Sequence, residues 1–211
     1  RPALELSVPP FVEFDGHQNA GNEDVTFAGA TFNGEIDCAL GAFGTADFSG
    51  VEFERAAFSD TNFHEEATFE GAEFGGRAFL DEAQFEADTT FEGAVFHETV
   101  RFRGVEFHGR DNVDDDDVTF AEAVFDGDAD FYAASFRYAN FTDARVTGTA
   151  TFDEAVFTAD GDFDRVTLDG PVSFDEARFR DDTSFADATV TGAATFRGVE
   201  FKGGANITDD D

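Results

Sequence analysis

The sequence predicts an all-β fold, a chain wound into a four-sided coil of about eight turns around a core of stacked phenylalanines. Three observations predict it. First, 30 of the 211 residues are Phe, and they recur every five or six positions. The series runs Phe27, Phe32, Phe43, Phe48, Phe53, Phe58, Phe63, Phe69, Phe74, Phe79, Phe85, Phe91, Phe96, Phe102 and Phe107. It resumes with Phe120, Phe125, Phe131, Phe136, Phe141, Phe152, Phe157, Phe163, Phe174, Phe179, Phe185, Phe196 and Phe201. Second, a small residue stands two positions before many of them, as in Val25, Ala30, Ala46, Val51, Ala67, Ala94, Ala123, Ala155, Ala177 and Val199. Third, longer segments repeat: TFAGATF at 26–32, DFSGVEF at 47–53, TFEGAEF at 68–74, TFEGAVF at 90–96 and TFAEAVF at 119–125. NFTDARV, DFDRVTL and SFADATV continue the series, and the steps are 21, 21, 22, 29, 21, 22 and 22 residues.

These spacings exclude the common elements. In a helix, five residues at about 100° each leave successive Phe roughly 140° apart, so no apolar stripe forms. In one long strand, an odd spacing sends alternate Phe to opposite faces. Positions i−2 and i do share a face in extended chain. The unit is therefore a short straight side followed by a bend, with Phe pointing inward. Four inward centres fall within each 21–22-residue step, so each coil has four sides.

The departures from Phe obey the same count. Val146, Leu168 and Val190 lie 22 apart. Gly127, Gly148, Gly170 and Gly192 mark one corner, joined earlier by Gly34 and Gly76; such a corner needs positive φ or close backbone approach. Cys38 takes an inward centre in place of Phe, and Ile207 begins a ninth coil. At about 4.8 Å per stacked strand the shaft is roughly 40 Å long.

The pattern A-x-F-x-x resembles the pentapeptide-repeat family across residues 25–207. The resemblance implies a right-handed quadrilateral β-helix. Here many steps are six residues, as in 146–152, 157–163 and 179–185, and the extra residue is expected to bulge at a corner. Left-handed hexapeptide helices expect strict sixes and aliphatic anchors, and neither is seen.

In chain order, residues 1–24, with Pro9-Pro10 and apolar Phe11, Val12 and Phe14, read as an N-terminal cap. Residues 25–207 form the coil. An insertion at 108–117 interrupts it, because Phe107 to Phe120 spans 13 residues. Residues 208–211 are an acidic tail, and the C-terminal edge of the coil is left bare. The sequence starts at Arg1, as expected of an excised piece of a longer protein.

Composition bounds the function. Asp and Glu total 47 against 13 Lys and Arg, a net charge of −34 with Lys202 as the one lysine. This resembles the proteome bias of salt-in extreme halophiles and favours a high-salt cytoplasm, although an exported or membrane-attached parent stays open. Direct nucleic-acid binding is opposed by charge. No stretch of about 18 apolar residues is present to insert in a membrane, and no signal peptide is visible.

Few residues outside the repeat suggest chemistry. Asp111, Asp114, Asp115, Asp116 and Asp117 in the insertion are weak candidates for a Ca²⁺ or Mg²⁺ site, but the alternating order of an EF-hand loop is missing. His64 and His108 lie two coils apart, about 10 Å, too far to share one zinc. An outward column, Gly44, His64, Glu86, His108, Arg137, Thr158, Arg180 and Lys202, gathers scarce basic groups. It reads as charge compensation or as a strip for an acidic partner. Tyr132 and Tyr138 are candidate outward anchors. No nucleophile motif, phosphate loop or HExxH is present, and no catalytic residue or cofactor is expected. The expected function is a non-catalytic structural or protein-interaction module, meeting a partner or a second copy through its outer faces or its C-terminal end. The alternative, implied by the resemblance, is an acidic DNA mimic that binds a type II topoisomerase (gyrase) or another DNA-binding protein.

Overall fold

The computed structural model describes residues 11–13, 24–109, 117–202 and 205–206. The expectations for Ile207, for most of segment 1–24 and for the 208–211 tail lie outside these residues. All regular structure among the described residues is β-strand, and the strands form a parallel solenoid of about eight turns. Most strands are two residues long, and each pairs with the strand one coil away.

The register gives four columns. On side one, Val25 pairs with Ala46, then Ala67, Thr89, Val118, Ala139, Gly161 and Thr183. These place Phe27, Phe48, Phe69, Phe91, Phe120, Phe141, Phe163 and Phe185 above one another. Side two stacks Phe32, Phe53, Phe74, Phe96, Phe125, Val146, Leu168 and Val190. Side three follows from Cys38 to Phe196, and side four stacks Phe43 through Phe201. Sides two and three merge into one sheet because Thr31–Asp37 and Glu52–Ala57 run through their shared corner as continuous strands. At the N-terminal end, Phe11–Glu13 pairs in parallel with Glu35–Asp37 and occupies the edge of that strand.

The core is a lattice of rings. Along each column the rings stack almost parallel: Phe63 on Phe85 at 4.6 Å, Phe91 on Phe120 at 4.9 Å and Phe102 on Phe131 at 4.9 Å. Across the axis they meet edge to face, as in Phe120–Phe131 at 5.4 Å and 81°. Both are favoured aromatic geometries. Cys38 is fully buried, and burial, with the nearby Asp37 carboxylate, pushes its thiol pKa far upward.

The four corners are of two kinds. After sides one and three the next centre is always five residues on. There a turn closes with an i+3 hydrogen bond, such as Ala94 N–H to Phe91 O at 3.0 Å. The residue two after the centre has positive φ in every coil: Gly29, Gly50, Gly71, Gly93, Glu122, Asp143, Arg165 and Asp187 after side one. Leu40, Asp60, Glu82, Gly104, Ala133, Glu154, Glu176 and Gly198 do the same after side three. After sides two and four the step is usually six residues, and the expected extra residue falls there. Gly127, Gly148, Gly170 and Gly192 sit at the corner after side two without positive φ. A Cβ on Gly148 would overlap the Gly127 carbonyl, and one on Gly170 would overlap that of Gly148. Close approach, not φ, demands these glycines.

One expected core residue is corrected. Phe79 does not face inward; Leu80 does, fully buried, in the column of Phe58 and Phe102. The corner from Phe74 takes six residues, so counting five lands one short, and a slip of one residue reverses the face. Phe79 lies half-exposed under the Arg101 guanidinium, 4.8 Å from its ring centre.

Candidate functional site

Each turn after sides one and three leaves an N–H on the residue following the centre. The side chain before the centre caps it in many coils. Ser49 N–H donates to Asp47 Oδ1 at 3.0 Å, Thr142 N–H to Asn140 Oδ1 at 2.9 Å and Ala121 N–H to Thr119 Oγ1 at 3.1 Å. Elsewhere a carboxylate one coil below serves: Asp175 N–H donates to Asp153 Oδ1, and Ala186 N–H to Asp164 Oδ1, both at 2.9 Å. Arg101 has no acceptor to offer its own turn, and the N–H of Arg103 reaches Asp81 of the previous coil at 3.3 Å. Much of the acidic and hydroxyl surface is therefore turn chemistry. Reading the sequence by column, instead of by total charge, was the signal that would have found these caps.

Hydrogen bonds shift several of these carboxyls. Asp175 is held below the ordinary aspartate range chiefly by the Arg197 N–H, and Asp143 by the Arg165 guanidinium. At Asp47 burial pushes the pKa up, but hydrogen bonds from Ser49 and Thr26 outweigh it, and the net shift is downward.

Most of the described basic groups are engaged within the coil. Arg165 grips Asp143 with both arms at 2.9 and 2.8 Å, Arg145 meets Asp169 at 2.6 Å and Arg103 meets Asp130 at 2.5 Å. The outward column on side four is in register, since His64 N–H donates to Phe43 O and Lys202 N–H to Phe179 O. Its side chains turn to neighbouring acids: His64 to Glu86 at 3.0 Å, His108 to Glu106 at 3.1 Å and Lys202 to Glu200 at 3.5 Å. Tyr132 is 41% exposed and donates to Glu154 at 2.7 Å.

Of the five insertion aspartates, Asp117 is the one described, and it is 1% exposed. Its carboxylate accepts the Tyr138 N–H at 3.0 Å and an Arg137 nitrogen at 3.3 Å. A Cβ on Gly109 would overlap it. Asp117 is thus the post against which the two stems of the insertion close. Asp111, Asp114, Asp115 and Asp116 lie outside the described residues. Among the described residues no group of three His, Cys, Asp or Glu gathers to hold a metal.

The C-terminal end is where the apolar interior reaches the surface. Val190 is 44% exposed, Phe196 49% and Phe201 43%. With Phe185, Ala188 and Val199 they line an open hollow of about 490 Å³. Phe196 stacks on Phe174 at 5.3 Å and Phe201 on Phe179 at 4.9 Å below, while their outer faces meet no ring among the described residues. The sequence places these residues in the core columns, and among the described residues their last layer stays half-exposed.

Comparison with known proteins bears on the architecture. A family model described as pentapeptide repeats (nine copies) matches residues 43–84, 69–115, 115–156 and 163–209. Among solved structures the chain is similar to HetL, a pentapeptide repeat protein involved in heterocyst differentiation regulation from the cyanobacterium Nostoc sp. strain PCC 7120. Identity is 16%, coverage is 88% of this chain and 86% of HetL, and the TM-score is 0.31. No curated protein matches.

Proposed function

The chain belongs to the pentapeptide-repeat family, and from that premise we propose that it is a non-catalytic protein-interaction module docking through the C-terminal end of its coil. The observation that carries this reading is the half-exposed layer of Val190, Phe196 and Phe201. Large apolar side chains grouped in one concave patch are the usual core of a protein interface. The side walls offer a poorer surface, because many of their carboxylates and most of their basic groups satisfy turns and neighbouring coils. The alternative of DNA mimicry toward a topoisomerase has the −34 charge behind it. Those carboxylates spread over all four sides and a number of them serve as caps, so they follow the needs of the coil before any duplex-like track.

A photoreactive residue at position 196, carried by the protein in its own cells, tests the proposal. Adducts to a second polypeptide are expected from position 196 and not from the exposed side-wall position 92. Equal or absent adducts at both positions would refute the reading.

A further inference from the structure

We propose that the outer wall of side four, in the second half of the coil, is a docking strip for an extended acidic segment of a partner protein. This wall is distinct from the coil end discussed above, and each surface can be tested without the other.

Charge is spread unevenly over the four walls. The two residues that flank each inward centre point outward. Among the described residues, sides one, two and three each hold five acidic groups at these positions, against none, one and three Arg or Lys. Side four reverses the balance, with three acids, Glu86, Glu106 and Glu200, and four basic groups, Arg137, Arg178, Arg180 and Lys202. The excess lies in one half of the wall. From Ser135 to Lys202 its outward positions hold all four basic groups and one acid, Glu200. A chain of net charge −34 thus carries one wall, and chiefly half of it, that is basic.

Charge compensation within the coil does not explain this placement. Elsewhere an arginine meets an acid one coil away, as Arg165 meets Asp143 and Arg145 meets Asp169. Arg178 and Arg180 are exposed, and neither side chain has a hydrogen-bond or ion-pair partner among the described residues. The strand below them offers Val156 and Thr158, because Arg178 pairs in register with Val156 and the Arg180 N–H donates to Phe157 O. In the strand above, Glu200 is engaged by Lys202 at 3.5 Å. Lys202 itself lies over Arg180, one position past the Phe179–Phe201 pair. Like charges directly opposite in a sheet are destabilising. The coil leaves that cost standing, and a carboxylate laid across the two groups from outside offsets it.

The shape of the strip defines the occupant. Exposed acids stand on the corners beside it, Glu154 and Glu176 on one and Asp181 and Asp182 on the other. A broad acidic surface meets those corners and is repelled, whereas a single extended chain fits between them. Stacked strands are about 4.8 Å apart, so Arg137 and Arg180 lie about 10 Å apart along the shaft, the rise of about three extended residues. Carboxylates recurring every two or three residues therefore meet successive basic groups, and each free guanidinium can donate two hydrogen bonds to one of them. At molar salt the Debye length is about 3 Å, so the acidic body does not repel such a segment before contact, while hydrogen-bonded pairs made in contact persist.

Fluorescence anisotropy of a labelled twelve-residue polyglutamate peptide, titrated with the full chain in 1 M KCl, tests the strip. Saturable binding is expected, weakened at least tenfold in Arg178→Glu and in Arg180→Glu with circular dichroism unchanged. Should either variant misfold, Arg180→Gln keeps the test open, since it removes a charge without adding one and should also weaken binding. Glu92→Arg on the acidic wall of side one changes the net charge as much as Arg178→Glu does, in the opposite sense, and should leave binding within twofold of the parent. No saturable binding at 1 mM chain overturns the proposal. An effect at position 92 as large as that at 178 also overturns it, because the peptide then responds to net charge alone. Full displacement of the peptide by inorganic phosphate at the same concentration of negative charge overturns it too, because the wall then takes simple anions.

Discussion

Phe85 shows what one residue contributes. Its ring stacks on Phe63 at 4.6 Å and on Phe107 at 4.9 Å, and meets Phe91 edge-on at 6.3 Å. Phe85→Ala removes a fully buried ring whose neighbours are fixed by strands above and below, so the cavity cannot collapse. A loss of about 3–5 kcal/mol is expected by guanidinium unfolding in molar KCl; a loss under about 1 kcal/mol would contradict the packing described. Cys38 is the opposite case, a nucleophile made inert. Burial keeps it as a thiol, so a disulfide reagent at pH 8 should modify it only in denaturant; rapid modification of the native protein would show that its coil opens. The Phe columns were legible because stacking repeats a residue type. Phe79 was misread for the same reason: it is a Phe near the expected place, whereas Leu80 at the true one breaks the type but keeps the count.

At the scale of the corner, two different constraints select glycine. Gly93 has φ +62 and open space where a Cβ would go, so Gly93→Ala should cost only the left-handed strain of about 1–2 kcal/mol. Gly148→Ala drives a methyl into backbone of the coil below and should cost more, as read from paired melting curves. Equal costs would mean that the stack yields at that corner. The Asp175 cap and the Asp143–Arg165 pair predict a pH dependence. Asp143 and Asp175 are held below their ordinary value of 3.8, so their stabilisation is present above about pH 4 and is lost as pH falls through the folded values. In molar KCl the melting temperature should drop below pH 4, and less so for Asp175→Asn. A flat profile there would exclude the cap and the ion pair as contributors. Five-residue corners could be read from the sequence. The pairing of each acid with a particular N–H could not, because Asp at two different column positions reaches the same donor by different routes.

For the whole molecule, the net charge sets the conditions of stability. At molar salt the Debye length is about 3 Å and repulsion between neighbouring columns is screened; near 0.01 M it is about 30 Å, comparable with the shaft itself. The melting temperature is expected to rise from low to molar KCl. No change would show that the ion pairs and caps already offset the repulsion. The architecture was legible because each coil repeats the last; the end of the coil was legible as an edge, but how far Val190, Phe196 and Phe201 are exposed there emerges only in the fold. The insertion carries one further consequence. It enters at a corner after side four, yet Phe91 and Phe120 on either side of it stack at 4.9 Å with planes 3° apart. A segment spliced into that corner leaves the frame of every later coil undisturbed. The same corner in other coils is therefore a natural port for grafting foreign peptides, and whole coils, bounded by such ports, are the units that recombination can add or delete without rewriting the rest.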